Sequence, residues 1–125
     1  MLNERLVKFC NDNFKDRKLI LDKLNEYKNI LISENEKMNL IGKSTLEDID
    51  ERHFLDCIQI NKYLPHKEKV VMDIGTGAGL PGIILSIIGF DNLHLVEKSP
   101  KKSVFLENCK LRLKLNYHVH NTSIV

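Results

Sequence analysis

Apolar residues recur along this chain at two spacings, and the change falls near Lys69. Before it the spacing is helical: one short amphipathic segment covers about Glu4 to Phe14. A longer one runs from about Asp16 to Met38, with Ile20, Leu24, Tyr27, Leu31 and Met38 on one face. The stretch Asn39 to Lys43, containing Gly42, interrupts that face. Ser44-Thr45-Leu46-Glu47 has the S-x-x-E form of a capping box and predicts a helix through Leu64 that Pro65 ends. After Lys69, Val70-Val71-Met72-Asp73-Ile74 is a short apolar run, expected to be a strand buried on both faces. Leu80 to Ile88 is apolar almost all round, with Pro81 at a helix start and Gly89 at its end. Asn92 to Glu97 predicts a second strand. Ser99-Pro100 predicts a cap and first-turn proline for a helix to about Leu115, and Tyr117 to about Thr122 a third strand. The β-α-β-α-β order implies parallel strands joined by right-handed crossovers, the first half of a doubly wound α/β sheet. Residues 1–66 are thus expected to form a helical region and residues 67–125 half of a Rossmann-like domain.

Composition narrows the class. With 125 residues, 42% of them hydrophobic, the chain can build one modest core, and no apolar run approaches the length of a bilayer span. The amino terminus lacks a signal-peptide apolar stretch, so a cytoplasmic location is expected. Cys10, Cys57 and Cys109 include no C-x-x-C pair and read as reduced thiols, with no metal site expected. Asn121-Thr122-Ser123 matches a glycosylation sequon, which carries no meaning without secretion. The net charge of +2 conceals an asymmetry: residues 98–125 hold six Lys/Arg and one acid, whereas residues 1–97 hold 13 Lys/Arg and 16 acids. A basic end can attract nucleic acid, although a lysine-rich helix is commonly a solvated face.

The candidate chemistry lies in Asp73-Ile74-Gly75-Thr76-Gly77-Ala78-Gly79, between the first strand and its helix. Glycines there let backbone amides approach a ligand closely. The dinucleotide fingerprint would need glycine where Leu80 stands, and no Gly-Lys-Ser/Thr follows as a P-loop requires. Asp73 would repel a pyrophosphate but favour the sulfonium and ammonium of S-adenosylmethionine; alternatively it only accepts hydrogen bonds within the turn. Glu97 ends the second strand, placed as an acid that accepts ribose hydroxyls. Its alternative role is an ion pair with Lys98 or Lys101.

Four stretches carry a family resemblance. Asp73 to Ile83 (D-I-G-T-G-A-G-L-P-G-I) resembles the bacterial small-subunit rRNA guanine-7 methyltransferase family, RsmG or GidB. Met38-Asn39-Leu40-Ile41 resembles its Y-N-L-T segment, and Glu51 to Cys57 its R-H-x-L-D-S segment. Glu97-Lys98-Ser99-Pro100-Lys101-Lys102 with Phe105-Leu106 is similar to its acid-Ser-x-x-basic-basic…Phe-Leu pattern. Ser123 and Val125 depart from the family's usual arginine and glutamate.

The resemblance implies a class I S-adenosylmethionine-dependent methyltransferase acting on guanine nitrogen 7 of 16S rRNA in the small ribosomal subunit. It implies cofactor contacts at Asp73, Gly75, Gly77, Gly79, Leu80, Glu97, Ile124 and Val125. Lys98, Lys101 and Lys102 are candidate phosphate contacts. Arg52 is a further candidate RNA contact, or else an ion-pair partner of Asp56 one turn away, with His53 packed beside the loop. The family's chain is longer, with four further strands. The expectation is therefore its first three strands only, in order 3-2-1, with Val70 to Ile74 as an open edge available for self-association. The alternative to a methyltransferase is a non-catalytic remnant that binds cofactor weakly or pairs with another chain. A nucleotide-dependent oxidoreductase fragment is disfavoured by the loop spacing and Asp73.

Overall fold

The structure is a computed structural model and describes residues 1–64 and 67–123. Helix α1 (Glu4–Asn13) begins at Asn3, whose side chain accepts the Leu6 N–H at 2.9 Å, and it buries Leu6 and Cys10. Helix α2 (Arg17–Asn35) buries Ile20, Leu24, Tyr27, Ile30 and Leu31 along one stripe. It stops three residues before the predicted Met38. The Asn35 side chain accepts the amides of Leu40 and Ile41 at 2.8 and 2.9 Å, which turns the chain away from the helix axis.

The single helix expected over 44–64 is four short pieces: α3 (Lys43–Leu46), a π-helical turn (Asp50–Leu55), α4 (Asp56–Gln59) and a 3-10 turn (Ile60–Tyr63). The capping box does not form. Ser44 lies inside α3 and Glu47 at its end, while Gly42 takes the extended cap position and its carbonyl accepts the Thr45 hydroxyl at 3.0 Å. The widened π turn brings Asp50, Phe54 and Leu55 all inward. There Asp50 meets Lys28 at 3.0 Å and also accepts the Asn3 amide, tying this segment to both α1 and α2. Pro65, expected as the helix stop, lies outside the described residues.

Strands β1 (Val71–Ile74), β2 (Leu93–Val96) and β3 (His118–His120) form one parallel sheet in the order β1-β2-β3, with β1 at an edge. Between them lie α5 (Gly82–Ile87) and α6 (Pro100–Leu113). The α/β order expected from the periodicity is present. The short α5 begins one residue after Pro81, and Gly89 follows its end with φ +110°. Ser99 caps α6 by accepting the Lys102 N–H, with Pro100 in the first turn. The helix closes on Lys114 in a left-handed conformation, φ 54°, two residues short of the predicted end.

One expectation fails at β1. It is not buried on both faces: Val71 and Asp73 are half-buried, whereas Met72 and Ile74 are more than half exposed. Two successive right-handed crossovers progressing in one direction put α5 and α6 on the same side, so alternate residues of the strands face open space. On that open face His94 stacks on His118 and His120, and its Nδ1 lies 2.9 Å from His120 Nε2. On the covered face, residues from α1, α2, the π turn, α5, β2 and α6 form one hydrophobic cluster. Cys10 and Cys109 are buried within it as free thiols and Cys57 packs against it; burial pushes them up to about 11, about 12 and about 12, respectively. None of the described helices is long and apolar enough to cross a membrane.

Candidate functional site

The loop leaves β1 with the amides of Gly75 and Thr76 both donating to the Val96 carbonyl, at 2.9 and 3.3 Å. It then turns through Gly75 (φ +71°), Gly77 (φ +59°) and Gly79 (φ +90°), a backbone region that residues with a Cβ rarely adopt. The glycines differ in what surrounds them. A Cβ on Gly75 or Gly77 would meet no heavy atom within 4 Å, so the loop is open there. A Cβ on Gly79 would lie 2.4 Å from Ile83 Cδ1, and one on Gly82 would lie 2.2 Å from Leu95 Cδ2. Gly82 brings α5 down onto β1 and β2, and Gly79 packs the loop against Ile83 and Leu106.

Two carboxylates brace the loop. Asp73 Oδ2 accepts the Thr76 hydroxyl at 2.7 Å and the Gly82 amide at 3.0 Å, and its Oδ1 has no hydrogen-bond partner among the described residues. Burial raises the Asp73 pKa, and these two hydrogen bonds oppose the rise in part. Glu97, only 6% exposed, accepts the Gly77 amide on Oε1 at 2.8 Å and the Ser99 amide on Oε2 at 2.9 Å. Charge-assisted hydrogen bonds of this kind are stronger than neutral ones. The end of β3 holds the Glu97 backbone: its N–H donates to the His120 carbonyl, and its carbonyl accepts from Thr122 and Asn121. Glu97 therefore links the glycine loop, the cap of α6 and β3. It makes no ion pair with Lys98 or Lys101, the alternative raised for it; both lysines are exposed, and each carboxylate oxygen, bonded to one amide, keeps a lone pair for a further donor.

From the opposite side, the Tyr27 hydroxyl of α2 donates to the Ala78 carbonyl at 2.5 Å. The Tyr27 ring stacks on Phe54 of the π turn, with centroids 5.4 Å apart and planes 8° apart.

The rRNA small subunit methyltransferase G family model (GidB) matches residues 20–124. A ribosomal RNA small subunit methyltransferase G of Rhodospirillum centenum is 43% identical over 86 residues, covering 69% of this chain and 40% of the relative. The same-named protein of Orientia tsutsugamushi (strain Boryong) is 36% identical over 103 residues, covering 82% of this chain and 52% of its own. That of Rickettsia rickettsii (strain Sheila Smith) is 36% identical over 105 residues, covering 84% and 55%. This chain belongs to the rRNA small subunit methyltransferase G family. It spans about half the length of these curated relatives. The three-stranded parallel sheet is accordingly part of a class I methyltransferase fold.

Within this family member the residues singled out from the sequence lie as follows. Asp73, Gly75, Gly77 and Glu97 come together at the open end of the loop, while Gly79 is buried and Leu80 packs partly against the core. Ile124 and Val125 lie outside the described residues. Lys98 and Lys101 are exposed and Lys102 partly so, on the residues that open α6. Arg52 and Asp56 are both exposed and form no ion pair, contrary to the modest reading; neighbouring Glu51 instead meets Arg5 at 2.8 Å. Exposed pairs of this type contribute little, so nothing compels the Arg52–Asp56 contact. Burial lowers the pKa of His53, and its Nε2 is buried without a hydrogen-bond partner among the described residues. Sequence reasoning overlooked Tyr27, Phe54 and Thr76. Helical spacing placed Tyr27 in the core, and the clue to more was its hydroxyl, because a buried tyrosine needs an acceptor.

Proposed function

We propose that this chain carries the cofactor half of an S-adenosylmethionine-dependent methyltransferase that modifies guanine nitrogen 7 in 16S rRNA of the small ribosomal subunit. One observation carries the reading: the open cradle at Gly75 and Gly77, with Asp73 and Glu97 beside it. The donor set fits a cationic ligand without phosphate. Two carboxylates at the cradle disfavour a pyrophosphate, and the free Oδ1 of Asp73 can accept from an ammonium. Gly75 and Gly77 would leave room along the backbone, Glu97 would accept ribose hydroxyls, and Leu80 would supply an apolar contact. When bound, the cofactor supplies an electrophilic methyl group. Nitrogen 7 of guanine already has a lone pair, so the residues need remove no proton. Their work is to bind and orient, which is catalysis by proximity. Lys98, Lys101, Lys102 and Arg52 would contact RNA phosphates.

Calorimetric titration with S-adenosylmethionine and with NAD tests the cofactor assignment; a preference for NAD would sink it. A labelled-methyl assay on 30S subunits tests transfer, and no transfer by this chain alone is expected. The second reading is a chain that transfers nothing and pairs through β1. It is favoured by the edge position of β1, whose uncovered face leaves Val70, Met72 and Ile74 64%, 52% and 59% exposed. Light scattering across a concentration series tests it: a molecular mass fixed at that of a monomer excludes self-association.

A further inference from the structure

We propose that the Tyr27 hydroxyl is a positioning group for the cofactor loop, holding the Gly77-Ala78-Gly79 backbone in the form that leaves the cradle open. This rests on the cofactor reading above and extends it to α2, which lies 51 residues earlier in the chain. Ala78 stands between two glycines at positive φ, the residues that resist peptide rotation least. Four hydrogen bonds pin this stretch. Glu97 accepts the Gly77 amide, the Thr76 carbonyl accepts the Gly79 amide at 3.0 Å, the Gly79 carbonyl accepts the Ile83 amide at 2.6 Å, and the Tyr27 hydroxyl donates to the Ala78 carbonyl. Among the described residues, the last is the only one supplied from outside the sheet and its connections. Without the hydroxyl, a carbonyl on a residue only 5% exposed loses its partner, and the flanking glycines let that peptide rotate to seek another.

Tyr27 is well placed to hold the loop. It is fully buried, and Phe54 braces its ring face to face. Burial raises its pKa well above the usual value, so the hydroxyl remains a donor over the working pH range. The π turn, which carries Arg52 and His53, reaches the loop through this stack. Its Phe54 supports Tyr27, which supports Ala78.

The chain supplies its own control. Tyr117 is equally buried and donates at 2.6 Å to the Leu106 carbonyl of α6, not to the loop backbone, although the Leu106 side chain lies beside Gly79. Tyr27→Phe and Tyr117→Phe each delete one oxygen from a buried tyrosine bonded to a backbone carbonyl. Both should lower the melting temperature by similar amounts. Only Tyr27→Phe should speed amide exchange in peptides spanning residues 74–80 of the free chain, by about three- to tenfold. It should weaken S-adenosylmethionine binding by a similar factor, with Tyr117→Phe within about twofold of the parent. Should Tyr27→Phe fail to fold, Phe54→Leu keeps the hydroxyl, loosens the ring and should give the same exchange signature more weakly. Equal loop exchange in the two tyrosine variants would overturn the proposal. An unchanged affinity in Tyr27→Phe would also overturn it. If the parent chain binds no S-adenosylmethionine, the cofactor reading fails, and the exchange comparison still decides whether Tyr27 holds the loop.

Discussion

Gly75 and Gly77 at the strand end of the loop differ from Gly79 and Gly82 at its helix end in what they leave room for. Around the first pair there is open space; against the second pair lie Ile83, Leu95 and Asp73, closer than any Cβ could tolerate. Both ends read alike in sequence, as glycines spaced through one motif. Their chemistry differs: the first pair spares volume for something outside the chain, the second for the chain itself. A glycine-rich loop is therefore two devices in series, and substitutions should separate them.

The largest effect belongs to the packed end. Gly79→Ala adds a clash with Ile83 to a backbone at φ +90°, and should destabilise the fold by about 3 kcal/mol or more, read by urea unfolding. Gly82→Ala should cost about 1–3 kcal/mol through overpacking against Leu95 and Asp73, with no left-handed strain added. At the open end, Gly75→Ala meets no atom and should cost only the left-handed strain, about 1–2 kcal/mol. Its effect should appear in S-adenosylmethionine affinity, and a stability loss equal to that of Gly79→Ala would erase the distinction.

Asp73→Asn tests the carboxylate between the two ends. The asparagine oxygen can still accept from Thr76 and Gly82, so the fold should persist while cofactor affinity falls by about tenfold or more. Because burial raises the folded-state pKa of Asp73, its protonated form is favoured in the native state. Its contribution is present below the unfolded carboxylate value and is lost as pH rises through the folded one. The stability of Asp73→Asn relative to the parent should therefore increase with pH over that window, by parallel denaturant titrations. The smallest effect on the fold is expected from the double variant Lys101→Ala/Lys102→Ala: about 0.5 kcal/mol or less. A salt series on RNA binding should show a slope shallower by about 2.

Much of this arrangement was legible before any coordinates. The strand–helix alternation after Lys69 and the Ser99 cap follow from local rules acting over a few residues. What was not legible depended on contacts distant in sequence. The helix over 44–64 breaks where Asp50 is held by Asn3 and Lys28, and neither partner is visible in its own segment. The apolar run of β1 predicted burial on both faces, yet hydrophobicity reports what a strand can cover and not whether a covering layer is present. Tyr27 and Ala78 meet across the core, and helical spacing makes a tyrosine indistinguishable from a leucine.

The three thiols, two sealed in the core and Cys57 half-buried against it, equip this molecule with reporters of its own breathing. A thiol held near 11 or 12 presents almost no thiolate at neutral pH, so alkylation must wait for its surroundings to open. Cys10 lies in α1, Cys57 in α4 and Cys109 in α6, three separate elements of the molecule. Mass spectrometry after timed alkylation would assign an opening rate to each without a single substitution. A ligand that tightens the loop should slow labelling of all three if the core opens as one unit, and of Cys109 alone if it does not.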